Sequence, residues 1–167
     1  LGSFASHSIS GIPHVDEVLL MGRPGREQSL AGLCHDLTDS CAARGIGTAI
    51  TWSTRPEDYA DSDVVVVTAG VPRQEGQDRI DLAFGNAQII APIAEEVGRR
   101  APEAIVLMIT NPVDVMTAVF LRYSGMDPRQ VFGLGTHLDS MRLKALIADY
   151  FHVHVSEVHT RIIGEHG

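Results

Sequence analysis

Residues 63–73 read DVVVVTAGVPR. Four consecutive valines between an aspartate and a threonine are too few for an ordinary helix, and β-branched side chains favour extended backbone. The run therefore reads as a strand buried on both faces. The residues after it, Ala69-Gly70-Val71-Pro72-Arg73, are turn chemistry ending in a cation. Residues 17–21 (EVLLM), 47–52 (GTAITW) and 104–110 (AIVLMIT) repeat the pattern. Between these runs lie stretches of helical period: 28–44, with Leu30, Leu33, Leu37 and Cys41, and 79–100, with Leu82, Ile89, Ile90, Ile93 and Val97. A further strand is expected over 131–134, a helix over 138–151, and a last strand over 158–163 (VHTRII). Only crossover helices can cover both faces of a buried parallel sheet, so the alternation predicts an α/β fold with a doubly wound parallel sheet of Rossmann type.

The composition suits such a fold. The chain has 167 residues, 44% of them apolar, enough for a real core and too many for a disordered chain. Its net charge of −8 repels phosphate backbones and argues against non-specific nucleic-acid binding, so an anionic substrate must meet a local cluster of arginines. No apolar run approaches the roughly 18 residues of a membrane span. The first residues, LGSFASHSIS, lack the charged and apolar regions of a secretory signal, which makes the cytoplasm the expected compartment. Cys34 and Cys41, seven positions apart in an expected helix, have no zinc spacing and read as ordinary buried thiols.

Ligands of doubly wound sheets sit at the carboxyl ends of the strands, so the residues after each apolar run carry the functional reading. Residues 69–79 (AGVPRQEGQDR) place Arg73 and Arg79 around Gly76 in a loop with few apolar anchors. Such a loop can close over an anion and expel water; a solvated loop whose arginines touch nothing is the alternative. In residues 111–116 (NPVDVM), Asn111 offers an amide at a strand end, or the Asn-Pro pair simply starts a helix. In residues 138–142 (LDSMR), Asp139 and Arg142 share a helix face, where an exposed ion pair is the alternative. Residues 164–167 (GEHG) hold His166 between glycines. His137, beside the turn GLGTH, is a secondary candidate. His152 and His154 form an HxH pair without a third ligand, so packing is the expected role and no metal is expected.

Taken together, AGVPRxxGxxR, NPVDVMT, GLGTHLDSMRLK and TRIIGEHG resemble the lactate/malate dehydrogenase family, and most of all the malate dehydrogenases of methanogenic archaea. The resemblance runs from Gly2 to Gly167. It implies that His166 is the acid/base that exchanges a proton with the substrate oxygen, a task suited to imidazole, and that Asp139 orients it. It implies that Arg142 grips the substrate carboxylate with its planar fork, that Arg79 polarises the reacting carbonyl, and that Asn111 contacts substrate and nicotinamide. Arg73 stands where lactate enzymes of the family carry glutamine and malate enzymes arginine, because a second carboxylate needs a second cation. A small dicarboxylate, malate or oxaloacetate, is the implied substrate.

For the cofactor, Gly2 matches the last glycine of the GxGxxG turn, and Ala69, Gly70 and Thr110 the residues lining the dinucleotide cleft. Where an acid normally bonds the adenosine ribose the chain has Gly22-Arg23, with Arg26 nearby. Absence of a carboxylate and presence of cations favour NADP, or dual use, over strict NAD. An exposed Pro/Gly turn is the alternative. The expected organisation is a dinucleotide-binding domain over 1–157, lacking its first strand, and the opening strand of a catalytic domain over 158–167. In the sheet order 3-2-1-4-5-6 that strand is central, so the chain is expected to pair around a gap, and as a fragment to be inactive and poorly stable alone. The full-length form is expected to be a homodimer or homotetramer. A lactate-type 2-hydroxy-acid dehydrogenase and a non-catalytic dinucleotide-binding fragment are the alternatives.

Overall fold

The computed structural model describes residues 2–76 and 78–166, and for Arg79 the backbone. The chain divides into two compact units, Leu1–Ala60 and Asp61–Gly167.

The first unit contains helix α1 (Gly2–Ile9), strand β1 (Glu17–Met21), helix α2 (Glu27–Ala43), strand β2 (Ala49–Ser53) and a 3-10 turn (Pro56–Tyr59). β1 and β2 pair in parallel from Glu17↔Ala49 to Met21↔Ser53. Alternation along β1 buries Val18 and Leu20, which meet Leu37 of α2, while Ile9, Leu30, Leu33 and Ile50 close around them. Cys41 is buried and Cys34 half-buried, with Cys34 Sγ donating to the Ile50 carbonyl, so only one of the two thiols is as enclosed as expected. No residue of α1 is buried, which explains why no apolar period announced it.

The second unit runs β3 (Val64–Val67), α3 (Arg79–Arg100), β4 (Ile105–Met108), α4 (Val113–Ser124), β5 (Val131–Gly133) and α5 (His137–Phe151), then a 3-10 turn (Val155–Glu157). Its parallel sheet has the order β3-β4-β5, with Val64↔Ile105 and Val106↔Val131 in register. Ile90, Ala94 and Val97 of α3, Val106 and Met108 of β4, and Met116 and Phe120 of α4 form the core. Gly98 lets α3 and α4 approach closely: a Cβ there would stand 2.0 Å from the Ser124 carbonyl oxygen. Asp78 caps α3 by accepting the Ile80 N–H at 3.2 Å. Arg99 and Arg100 in its last turn pair with Glu96, cations where the helix dipole favours them.

All strand pairs are parallel and helices separate the strands, as expected, but among the described residues the strands form two sheets, β1-β2 and β3-β4-β5. One expected element is absent: residues 158–163 form no strand. The backbone of Ile162 is taken up by side chains instead, since Thr136 Oγ1 donates to its carbonyl at 2.6 Å and its N–H donates to Ser140 Oγ at 2.9 Å. β-branched residues read as a strand only where a neighbouring strand exists to pair with them. Among the described residues no helix is long and apolar enough to cross a membrane.

Candidate functional site

The carboxyl ends of β3 and β4 are built around one buried amide. Asn86, on the inward face of α3 and only 1% exposed, accepts the Val71 N–H at 2.8 Å and donates from Nδ2 to the carbonyls of Asn111, at 2.7 Å, and Val71, at 3.3 Å. It thereby fixes the root of the 69–78 loop and the backbone of Asn111 at once. Thr110, 4% exposed, donates its hydroxyl to the Ala69 carbonyl at 2.7 Å, so its side chain braces the strand end and only its backbone is left to a ligand. Gly70 is confined between these two: a Cβ would lie 2.6 Å from Thr110 Cγ2 and 3.0 Å from Asn86 Oδ1. Sequence reasoning missed Asn86, because a single asparagine in a helical stretch looks like a solvated position.

The 69–78 loop has no regular secondary structure in its described part, and Arg73 is exposed on it. The Arg79 side chain lies outside the described residues. Asn111 is exposed just beyond β4, and α4 starts at Val113 with Pro112 as its cap residue and no side-chain cap bond, so Asn111 does not serve as the helix cap.

The third strand end brings its residues together. α5 opens after the turn following β5 and carries Asp139 and Arg142 one turn apart. Asp139 Oδ2 lies 2.5 Å from His166 Nδ1, and its other oxygen, Oδ1, lies 3.4 Å from Arg142 Nη1. The His166 side chain is 19% exposed, Asp139 27% and Arg142 65%. A contact of 3.4 Å is long for a charge-assisted hydrogen bond, so the exposed guanidinium is loosely held and can turn toward a carboxylate. The ion pair proposed for these two residues thus exists, but the same carboxylate serves His166 with its better contact. Two groups not anticipated from the sequence hold the histidine segment. Ser140, 1% exposed, anchors Ile162, and Asp114 Oδ2 in the first turn of α4 accepts the His166 backbone N–H at 2.9 Å. His137 is exposed at the start of α5, and His154 caps the 3-10 turn by accepting the Ser156 N–H. Among the described residues no three His, Cys, Asp or Glu side chains gather to hold a metal ion.

In the first unit, the strand end after β1 leads through a turn into α2. The Gly22 N–H donates to the Ser53 carbonyl at 3.0 Å, and Arg23 and Arg26 are exposed, their guanidiniums without a hydrogen bond or ion pair among the described residues. Glu27 is the nearby acid, but its carboxylate accepts the Gly25 N–H at 2.9 Å, which holds it below the ordinary value of 4.5. Gly2 opens α1, whose first turn has no acidic residue. Two unengaged cations at a strand end, and a helix N-terminus free of carboxylates, fit the phosphates of a dinucleotide.

Parallel strands joined by helices, with polar residues collected at the carboxyl ends, define a Rossmann-type α/β chain. The chain belongs to the lactate/malate dehydrogenase family: the family model for the lactate/malate dehydrogenase NAD binding domain matches residues 1–133. It is 52% identical over 149 residues, 89% of its length, to the malate dehydrogenase of Methanothermobacter thermautotrophicus, covering 46% of that protein. Over 169 aligned positions, 100% of the chain, it is 44% identical to the L-2-hydroxycarboxylate dehydrogenase (NAD(P)(+)) of Methanocaldococcus jannaschii, covering 54% of it. The crystal structure of the lactate dehydrogenase from Cryptosporidium parvum, complexed with lactic acid and nicotinamide adenine dinucleotide, superposes with a TM-score of 0.90 at 36% identity, over 99% of this chain and 51% of that one. The chain spans about half the length of the relatives it matches.

Proposed function

We propose that the protein carrying this chain is a malate dehydrogenase, which oxidises (S)-malate reversibly to oxaloacetate with a nicotinamide cofactor. The observation that carries the reading is the contact of His166 Nδ1 with Asp139 Oδ2 at 2.5 Å, with Arg142 beside the same carboxylate. The chemistry a bound nicotinamide dinucleotide would supply is a hydride acceptor for the carbinol carbon. His166 takes the hydroxyl proton from its Nε2 side, so two electrons and one proton leave as hydride and the second proton stays on imidazole. Asp139 holds the ring by Nδ1 and leaves Nε2 to the substrate. Arg142 grips the carboxylate next to the reacting carbon, Arg79 polarises the carbonyl in the reverse direction, and Asn111 fixes the oxygen. Arg73 pairs with the distal carboxylate.

For the cofactor, Gly2 matches the last glycine of the dinucleotide turn, Gly22 and Arg23, with Arg26, stand where an acid would bond the adenosine ribose, Ala69, Gly70 and Thr110 line the dinucleotide cleft, and Asn111 contacts the nicotinamide. The unengaged guanidiniums of Arg23 and Arg26 favour NADP, with NAD as second cofactor. Residues 1–157 are read as the dinucleotide-binding domain and 158–167 as the entry to the catalytic domain of a cytoplasmic homodimer or homotetramer.

A lactate-type 2-hydroxy-acid dehydrogenase is the second reading, favoured by the likeness to the C. parvum lactate dehydrogenase. Steady-state reduction of oxaloacetate and of pyruvate by the whole protein separates them. Saturable NADPH binding by the 167-residue chain without turnover would support the non-catalytic alternative for the chain itself.

A further inference from the structure

We propose that Asp114 is a positioning residue, whose carboxylate pins the backbone of His166 and so fixes the histidine relative to Asn111. The proposal rests on the dehydrogenase reading above. Asp114 Oδ2 accepts the His166 N–H at 2.9 Å across 52 positions of sequence. From the α5 side, Asp139 holds the ring, and Thr136 and Ser140 hold Ile162. From Ile162 to His166 the backbone has no regular structure, and Gly164 sits at φ +121°, where glycine is free to pivot. A ring held by one carboxylate can still swing if its own Cα drifts. The Asp114 bond removes that freedom, because it acts on the main chain and comes from another helix.

The placement of Asp114 explains what the bond achieves. It stands three residues after Asn111, whose carbonyl is itself held by the buried Asn86. The path from Asn111 to His166 is therefore three residues of chain leading into the first turn of α4 and one hydrogen bond. Both groups must meet the same substrate oxygen, so their separation has to hold within a fraction of an ångström. Asp114 is exposed and has no part in the core, so its side chain can be changed without opening a cavity.

The test uses the whole protein with oxaloacetate and the reduced dinucleotide. Asp114→Ala is expected to lower kcat about 10- to 100-fold with dinucleotide KM changed less than about threefold, and Asp114→Asn, which keeps an acceptor oxygen, to return within about threefold of the parent. Exchange of the His166 amide, followed by NMR, is expected to quicken in Asp114→Ala and to remain slow in Asp114→Asn. If the alanine variant does not fold, Asp114→Gln displaces the acceptor by one methylene and is expected to be similarly slow. Parent-like kcat in Asp114→Ala or Asp114→Gln overturns the positioning role and leaves the dehydrogenase reading standing, as does an Asp114→Asn variant as slow as alanine. A parent protein that reduces no 2-oxo acid overturns the dehydrogenase reading, and the positioning role with it, whatever the amide exchange shows.

Discussion

His166 Nδ1 and Asp139 Oδ2 stand 2.5 Å apart although 27 positions separate them in the chain. The contact joins the first turn of α5 to a segment without regular structure, and it leaves the second ring nitrogen for a substrate. Asp139→Asn keeps the shape of the side chain and removes the carboxylate that holds the ring by Nδ1. Its kcat for oxaloacetate reduction is expected to fall on the order of 10²- to 10⁴-fold, with dinucleotide binding retained, as fluorescence titration alongside steady-state kinetics will read.

The proposed preference for NADP rests on the turn after β1. Arg23 and Arg26 are exposed there, and Glu27 accepts the Gly25 N–H with its carboxylate, so the two guanidiniums are the groups left for a ribose phosphate to meet. Arg23→Asp introduces the acid that a ribose hydroxyl needs and a phosphate opposes. The ratio of kcat/KM for NADPH over NADH is expected to fall by about tenfold or more. A parent protein that already prefers NADH by that margin would refute the reading of Gly22-Arg23.

Packing of α3 on α4 depends on Gly98. An added methyl would meet the Ser124 carbonyl at 2.0 Å, and that carbonyl is backbone, which cannot rotate away. Gly98→Ala is expected to destabilise the protein by about 3 kcal/mol, measured as a lower denaturant midpoint at unchanged slope.

Glu96 carries a pH dependence whose sign follows from its partners. Hydrogen bonds from Arg100 first, and then Arg99, hold its carboxyl below the ordinary 4.5. A carboxyl lowered in the folded state contributes stability that is complete above its unfolded value and is lost as pH falls through the folded one. The stability difference between the parent and Glu96→Gln is therefore expected to be larger at about pH 6 than at about pH 3, as thermal unfolding at the two values will read.

Much of this was legible in the sequence, for identifiable reasons. Val64–Val67 and Ile105–Met108 were readable because unbroken β-branched and apolar runs favour a strand, although β3 buries only Val67 and both strands open on an exposed residue, Val64 and Ile105, so the expected burial on both faces is incomplete. Arg79–Arg100 was readable because Leu82, Ile90 and Val97 recur at helical spacing. Residues 158–163 misled because a strand is a property of two segments, and this one finds side-chain hydroxyls on α5 in place of a partner. Asp139, Arg142 and His166 could be named from their motifs, and their meeting is a tertiary fact that spacing only suggested. Asn86 and Asp114 were invisible for a different reason. Each acts on backbone groups far along the chain, and neither residue type announces such a partner.

The central claim is that a four-carbon diacid is held at both ends, by Arg142 and by Arg73, while His166 exchanges a proton at its middle. The most direct measurement is the ratio of kcat/KM for oxaloacetate over pyruvate, in the parent protein and in Arg73→Gln. The account predicts a parent ratio of at least about 100, since a carboxylate drawn out of water without its cation costs several kcal/mol, and a fall of about 100-fold or more in the variant. A parent that turns over pyruvate as well as oxaloacetate, or a variant whose ratio does not move, would contradict it.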